Sequence, residues 1–101
     1  MERREHAGGK KMNKAKVLIY TSASCPYCTW SKRLLDKKQA RYDEIRVDQD
    51  KAARIELQER TERTSVPQIF IDDFHVGGYQ EMVELDQEGK LDELLSGESA
   101  L

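Results

Sequence analysis

A short apolar run, Val17-Leu18-Ile19-Tyr20, ends at the polar loop Thr21–Ser24, and Pro26 follows at once as a helix opener. The β-branched and aromatic run has the character of a buried strand. Proline is tolerated in the first turn of a helix because its missing N–H is not needed there. From that point Tyr27, Trp30 and Leu34, with Ser31 and Leu35 alongside, keep helical spacing to about Lys38. On this spacing Trp30 is expected in the core. Tyr42–Val47 then has the pattern of a second strand, with Ile45 and Val47 facing one way. A strand, a helix and a strand in this order make a parallel pair with a right-handed crossover.

The remaining segments extend the same plan. Asp48 or Asp50 caps a second helix to about Arg60, with Ala52, Ala53, Ile55 and Leu57 as its apolar residues. Gln68–Ile71 is a third strand entered through Val66-Pro67, Asp72-Asp73 a tight turn, and Phe74–Val76 a short returning strand. Gly77-Gly78 breaks the pattern before a final helical region that holds Met82, Leu85, Leu91, Leu94 and Leu95. The order β-α-β-α-β-β-α predicts an α/β domain: a four-stranded mixed sheet with helices on both faces.

With 101 residues, 36% of them charged and 38% apolar, the chain suits one soluble domain. Its longest apolar run is too short to span a bilayer, so no membrane association is expected. The N-terminal stretch is charged and lacks an apolar h-region, so it does not read as a secretory signal, and the expected location is cytoplasmic. Residues 1–16 carry six Lys/Arg against two Glu, whereas the rest carry eleven against seventeen. The expected organisation is a basic, disordered arm over 1–15, the domain over 16–96 and a short tail over 97–101. An acidic body repels phosphate backbones, so no nucleic-acid partner is expected.

Cys25 and Cys28 are the only cysteines, two residues apart around Pro26-Tyr27. Three readings compete for them: a redox pair, half of a metal site, and a structural disulfide. A disulfide across two intervening residues closes so small a loop that it restricts the unfolded chain little. Zinc wants four ligands, and the other soft candidates, His6 and His75, have no second-pair spacing. At a strand-to-helix junction, by contrast, Cys25 would be the helix N-cap and Cys28 would lie in the first turn. Unpaired N–H groups and the positive end of the helix dipole stabilise a thiolate there. Cys28, one turn on, can then attack a mixed disulfide formed at Cys25.

Joined to Ser65-Val66-Pro67-Gln68-Ile69-Phe70-Ile71 and Gly77-Gly78, the Cys25-Pro26-Tyr27-Cys28 motif resembles the dithiol glutaredoxins, specifically the small bacterial class. The resemblance covers roughly Lys16 to Leu95. It implies a thioredoxin-like fold, no bound cofactor, glutathione as reducing co-substrate, and disulfide-containing or glutathionylated proteins as partners of a monomer. Carried onto this chain, it makes Cys25 the nucleophile and Cys28 the resolving thiol. Tyr27 flanks the glutathione groove, and Val66, before a cis Pro67, pairs its backbone with the cysteinyl part. Arg63 suits the glycine carboxylate. Gly78 and the residues after it present helix N-terminal amides to the γ-glutamyl carboxylate, and Gln80 and Glu81 receive the amino group.

The chain departs from the family pattern in three places. Ser22 stands where many members have a lysine, which leaves thiolate stabilisation more to the helix terminus; Lys32, two turns along on the same face, matches a common basic position but is too distant to substitute fully. Tyr79-Gln80-Glu81 replaces the usual small or acidic residues after the glycines, and Ser65 replaces threonine before Val66. Two alternatives remain open at this point: a redoxin recharged by thioredoxin reductase, and a non-enzymatic carrier of a glutathione-ligated iron–sulfur cluster.

Overall fold

A computed structural model describes residues 15–97. The arm and the tail expected from the sequence fall outside these residues, apart from Ala15 and Gly97. Ala15 is buried, and its N–H bonds to Leu95 O at 3.3 Å.

The elements follow in the order β1 (Val17–Thr21), α1 (Pro26–Lys37), β2 (Asp43–Arg46), α2 (Lys51–Thr61), β3 (Gln68–Ile71), β4 (Phe74–Gly77), α3 (Tyr79–Gln87) and α4 (Lys90–Ser96). The strands form one mixed sheet ordered β2-β1-β3-β4. β1 runs parallel to β2, with Tyr20 opposite Ile45. It runs antiparallel to β3, with Ile19 opposite Ile69, and β3 is antiparallel to β4.

Period-two alternation along the strands splits the core between the two faces of the sheet. Val17, Ile19, Ile69 and Ile71 pack with Leu35 of α1, Met82 of α3, and Leu91 and Leu95 of α4. Tyr20, Phe70 and Val47 pack on the opposite face with Leu57 of α2. The four-stranded sheet with helices on both faces is therefore observed.

Asp50, rather than Asp48, caps α2, its carboxylate accepting the Ala53 N–H at 3.1 Å. Asp48 instead pairs with Arg46 at 2.7 Å. Of the four apolar residues expected on α2, Ala53 and Leu57 are buried, while Ala52 and Ile55 face solvent. The final helical region is two helices, because Gly89 adopts φ +77° and turns the chain between them.

Candidate active site

The sheet order itself assembles the site. β1 delivers the chain to Cys25 at its C-terminal end. β3 is antiparallel to β1, so its entry, Val66-Pro67, lies beside that same end. β4 is antiparallel to β3, which brings its exit, Gly77-Gly78, back to Pro67: a Cβ built on Gly78 would lie 3.5 Å from Pro67 O. Three loops far apart in sequence thus meet at one edge of the fold.

Cys25 is the N-cap of α1, with extended backbone angles (φ −138°, ψ 97°). Its Sγ accepts the Cys28 N–H at 3.0 Å, and Pro26 occupies the first helical position. This is the arrangement in which orphan amides and the helix dipole favour negative charge on sulfur. Cys25 and Cys28 are joined as a disulfide. Cys28 is 2% exposed, whereas Cys25 is only half-buried, so an incoming sulfur reaches Cys25 first. Cys25 Sγ also lies 3.7 Å from Val66 O, and the Val66-Pro67 peptide is cis.

Beside the disulfide runs a groove of about 390 Å³. Its lining contains every residue expected from the sequence to bind glutathione: Tyr27, Arg63, Val66, Pro67, Gly78, Gln80 and Glu81. Arg63 is exposed in the loop after α2, and among the described residues no salt bridge engages it. Glu81 has a second task in the structure, its Oε1 accepting the Gly78 N–H at 2.7 Å as half of a capping box. That amide is therefore already satisfied, and the helix-terminal donors that remain for an anion begin at Tyr79.

Three lining residues were not singled out from the sequence as binding residues: Ser65, Gln68 and Tyr79. Gln68 is buried, and its amide donates to Ser65 O at 3.1 Å and lies 2.7 Å from His75 Nε2. A glutamine in an otherwise apolar strand, four residues after a threonine-rich turn, was the available signal. Burial lowers the His75 pKa, and the nearby Arg63 guanidinium adds to the effect.

One expectation about a side chain needs correction. Trp30 is not in the core: it is 45% exposed and rests edge to face on Tyr27 at 5.1 Å between ring centroids. The buried face of α1 is Cys28, Ser31 and Leu35, which leaves Tyr27 and Trp30 on the outside. Lys32, already too distant to stand in for a lysine at position 22, is also paired, its Nζ lying 2.9 Å from Glu44 Oε2. That carboxylate also accepts the Thr21 hydroxyl at 2.6 Å, so the charge is neutralised across β2 and β1.

A mixed four-stranded sheet that presents an accessible, half-buried helix-capping cysteine, a buried partner and a cis-proline loop defines a thioredoxin-fold dithiol oxidoreductase. The Glutaredoxin family model matches residues 17–76. Glutaredoxin 1 of Rickettsia bellii is 44% identical over 94 residues, covering 86% of this chain and 96% of that protein. Glutaredoxin 3 of Escherichia coli K12 is 47% identical over 81 residues, covering 80% and 98%. The solution structure of glutaredoxin from Brucella melitensis superposes with a TM-score of 0.76 at 42% identity, covering 92% of this chain and all of that one. A buckwheat glutaredoxin–glutathione complex superposes with a TM-score of 0.75 at 32% identity, covering 88% and 86%. The chain belongs to the glutaredoxin family and is a glutathione-dependent thiol–disulfide oxidoreductase. Recharging by thioredoxin reductase and non-enzymatic cluster carriage are not favoured by this membership.

Proposed function

We propose that the groove holds glutathione in an extended form, and that the chain, acting as a monomer, reduces glutathionylated and disulfide-bonded proteins in the cytosol. The observation that carries this reading is the convergence of Arg63, the Val66 backbone and the α3 N-terminus on one groove next to Cys25. Glutathione has a carboxylate at each end, so its site needs cationic or amide donors at two separated places and a backbone edge between them. Arg63 supplies the first for the glycine carboxylate. The α3 amides from Tyr79 onward, at the helix terminus that Gly78 opens, supply the second for the γ-glutamyl carboxylate. Val66, held by cis Pro67, pairs with the cysteinyl backbone by strand addition. Tyr27 walls the groove, and Gln80 with Glu81 faces the amino group.

The chemistry follows from the two sulfurs. Cys25 thiolate attacks the glutathione sulfur of a mixed disulfide, forming Cys25–S–S–glutathione and expelling the protein thiolate, which takes a proton from water. A second glutathione thiolate attacks that adduct, releasing oxidised glutathione and regenerating the Cys25 thiolate. With a protein disulfide, Cys25 forms the mixed disulfide and Cys28 displaces it, closing the Cys25–Cys28 bond for glutathione to reopen. Such a cycle needs a compartment that keeps glutathione reduced, which favours the cytosol.

The test is glutathione-coupled reduction of a small mixed disulfide by the wild-type chain, Cys28→Ser and Cys25→Ser. The first two are expected to be active and the third inactive. An inactive Cys28→Ser, or a wild type that glutathione does not recycle, overturns the reading.

A further inference from the structure

Tyr27 and Trp30 are 56% and 45% exposed, large aromatic side chains left in solvent beside a reactive disulfide. Tyr79 completes a triangle with them, its ring centroid 6.0 Å from Tyr27 and 5.8 Å from Trp30. Tyr27 and Tyr79 also line the groove, whereas Trp30 lies outside it. The two tyrosines therefore form a shared wall, with the groove on one side and the tryptophan on the other. Scattered apolar side chains on a surface need no explanation, but three rings in mutual contact next to a nucleophile form a recognition surface.

We propose that Trp30 is a specificity-determining residue that receives an apolar side chain adjacent to the target cysteine of a glutathionylated polypeptide. The inference rests on the glutathione reading given above. When Cys25 attacks the glutathione sulfur, the attacking, central and leaving sulfurs must be close to collinear. With the glutathione half in the groove, the leaving polypeptide half has to lie outside it. There Trp30 extends the groove wall through its edge-to-face contact with Tyr27. Aromatic faces offer apolar contact at small cost in conformational entropy. A carboxylate placed there would lose hydration and meet the negative faces of the rings. A second copy of the chain is a poorer occupant. Three partly exposed rings fall far short of the ~800 Å² per partner of a stable interface.

The experiment compares glutathionylated peptides that differ in one residue beside the cysteine, leucine in one and aspartate in the other. A small mixed disulfide serves as reference. Trp30→Ala is expected to lower kcat/KM for the leucine peptide by about tenfold, since lost aromatic contacts at such centres cost this much. The aspartate peptide and the small disulfide should stay within about twofold, and Trp30→Phe should recover most of the loss. Trp30 is the only tryptophan in the chain, so its emission reports directly on contact. In a Cys25→Ser background, the leucine peptide should shift that emission to the blue and the aspartate peptide should not. Equal losses on both peptides, or no loss on either, would overturn the proposal while leaving the glutathione reading intact. An emission shift that depends on protein concentration without peptide would also overturn it, in favour of a second copy. A wild type inactive on the small disulfide would instead remove the glutathione reading beneath it.

Discussion

Gly77 ends β4 with φ +109°, a region L side chains rarely adopt. A Cβ there would stand 3.1 Å from the Glu81 carboxyl carbon, the side chain that caps the Gly78 amide. Gly77→Ala should therefore cost about 1–3 kcal/mol of stability through backbone strain. It should also raise the KM for glutathione by displacing the cap that frames one end of the groove. Urea denaturation and steady-state kinetics check the two effects, and a variant of wild-type stability would show that the turn does not need glycine. Cys25 poses the second question at this scale, since Ser22 stands where a lysine is usual. Lys32 lies seven residues along α1 from Cys25, roughly 10 Å by helical rise. Across that distance a charge in water acts with only about 0.4 kcal/mol, or ~0.3 pH unit. Its pairing with Glu44 reduces even that. Lys32→Ala should then leave the Cys25 thiol pKa within about 0.3 unit, as read from the pH dependence of alkylation. A shift of a full unit would mean that Lys32, and not the helix terminus, makes the thiol acidic.

Among the elements, α1 and α2 differ in what holds them. α1 is anchored by Cys28, Ser31 and Leu35, and Leu35 joins the larger half of the core. α2 buries only Ala53 and Leu57, with its other apolar residues in solvent, and adds the contact of Arg60 with Phe70 and Tyr20. Local opening follows the thinner packing. Hydrogen exchange should find the α2 amides less protected than those of α1, and Leu57→Ala should cost about 2–5 kcal/mol. Ile55→Lys, at a half-exposed position, should stay within about 0.5 kcal/mol. Equal protection of the two helices would refute the asymmetry. The same contrast explains what could be read from the sequence. Strand runs, caps and the proline and glycine breaks are local signals, and they were legible from Val17 to Gly78. Helical spacing shows that a stripe exists but not which of two adjacent stripes faces the sheet. That is why Trp30 was expected inside, where Cys28, Ser31 and Leu35 in fact lie. The pairing of Lys32 was not legible for a different reason, because its partner Glu44 sits on another element, 12 residues away. The groove residues were legible only through their resemblance to a family, since strand pairing, not local sequence, brings Arg63, Val66 and Gly78 together.

At the scale of the whole molecule, the second half of the core is tied together around Phe70. Arg60 of α2 lies over its ring at 3.9 Å, and His75 of β4 stacks on it at 4.7 Å. Through Gln68, His75 also holds Ser65 on the cis-proline loop, so one imidazole bridges β4, β3 and the groove. Its pKa is lowered from 6.5, first by burial and then by Arg63, with Arg60 adding to the shift and Glu81 opposing it. The Gln68 contact does not set this direction, because both the neutral and the charged ring can donate Nε2–H to the amide oxygen. Between the lowered native value and about 6.5 the unfolded chain binds more protons than the folded one. Stability should therefore rise with pH through that window, level off above about 6.5, and lose this contribution as pH falls. Asp48 acts in a separate range. Its Arg46 partner holds its carboxyl at about 2, so the stability it contributes is present above its ordinary range near 3.8 and is lost only in strong acid. Urea midpoints measured from pH 4.5 to 8 would isolate the histidine. The wild type should show the upward slope below 6.5, and His75→Gln, which keeps a hydrogen-bonding group beside Gln68, should flatten it. Parallel profiles would show that His75 binds its proton equally well in both states. The stack on Phe70 would then carry no pH dependence.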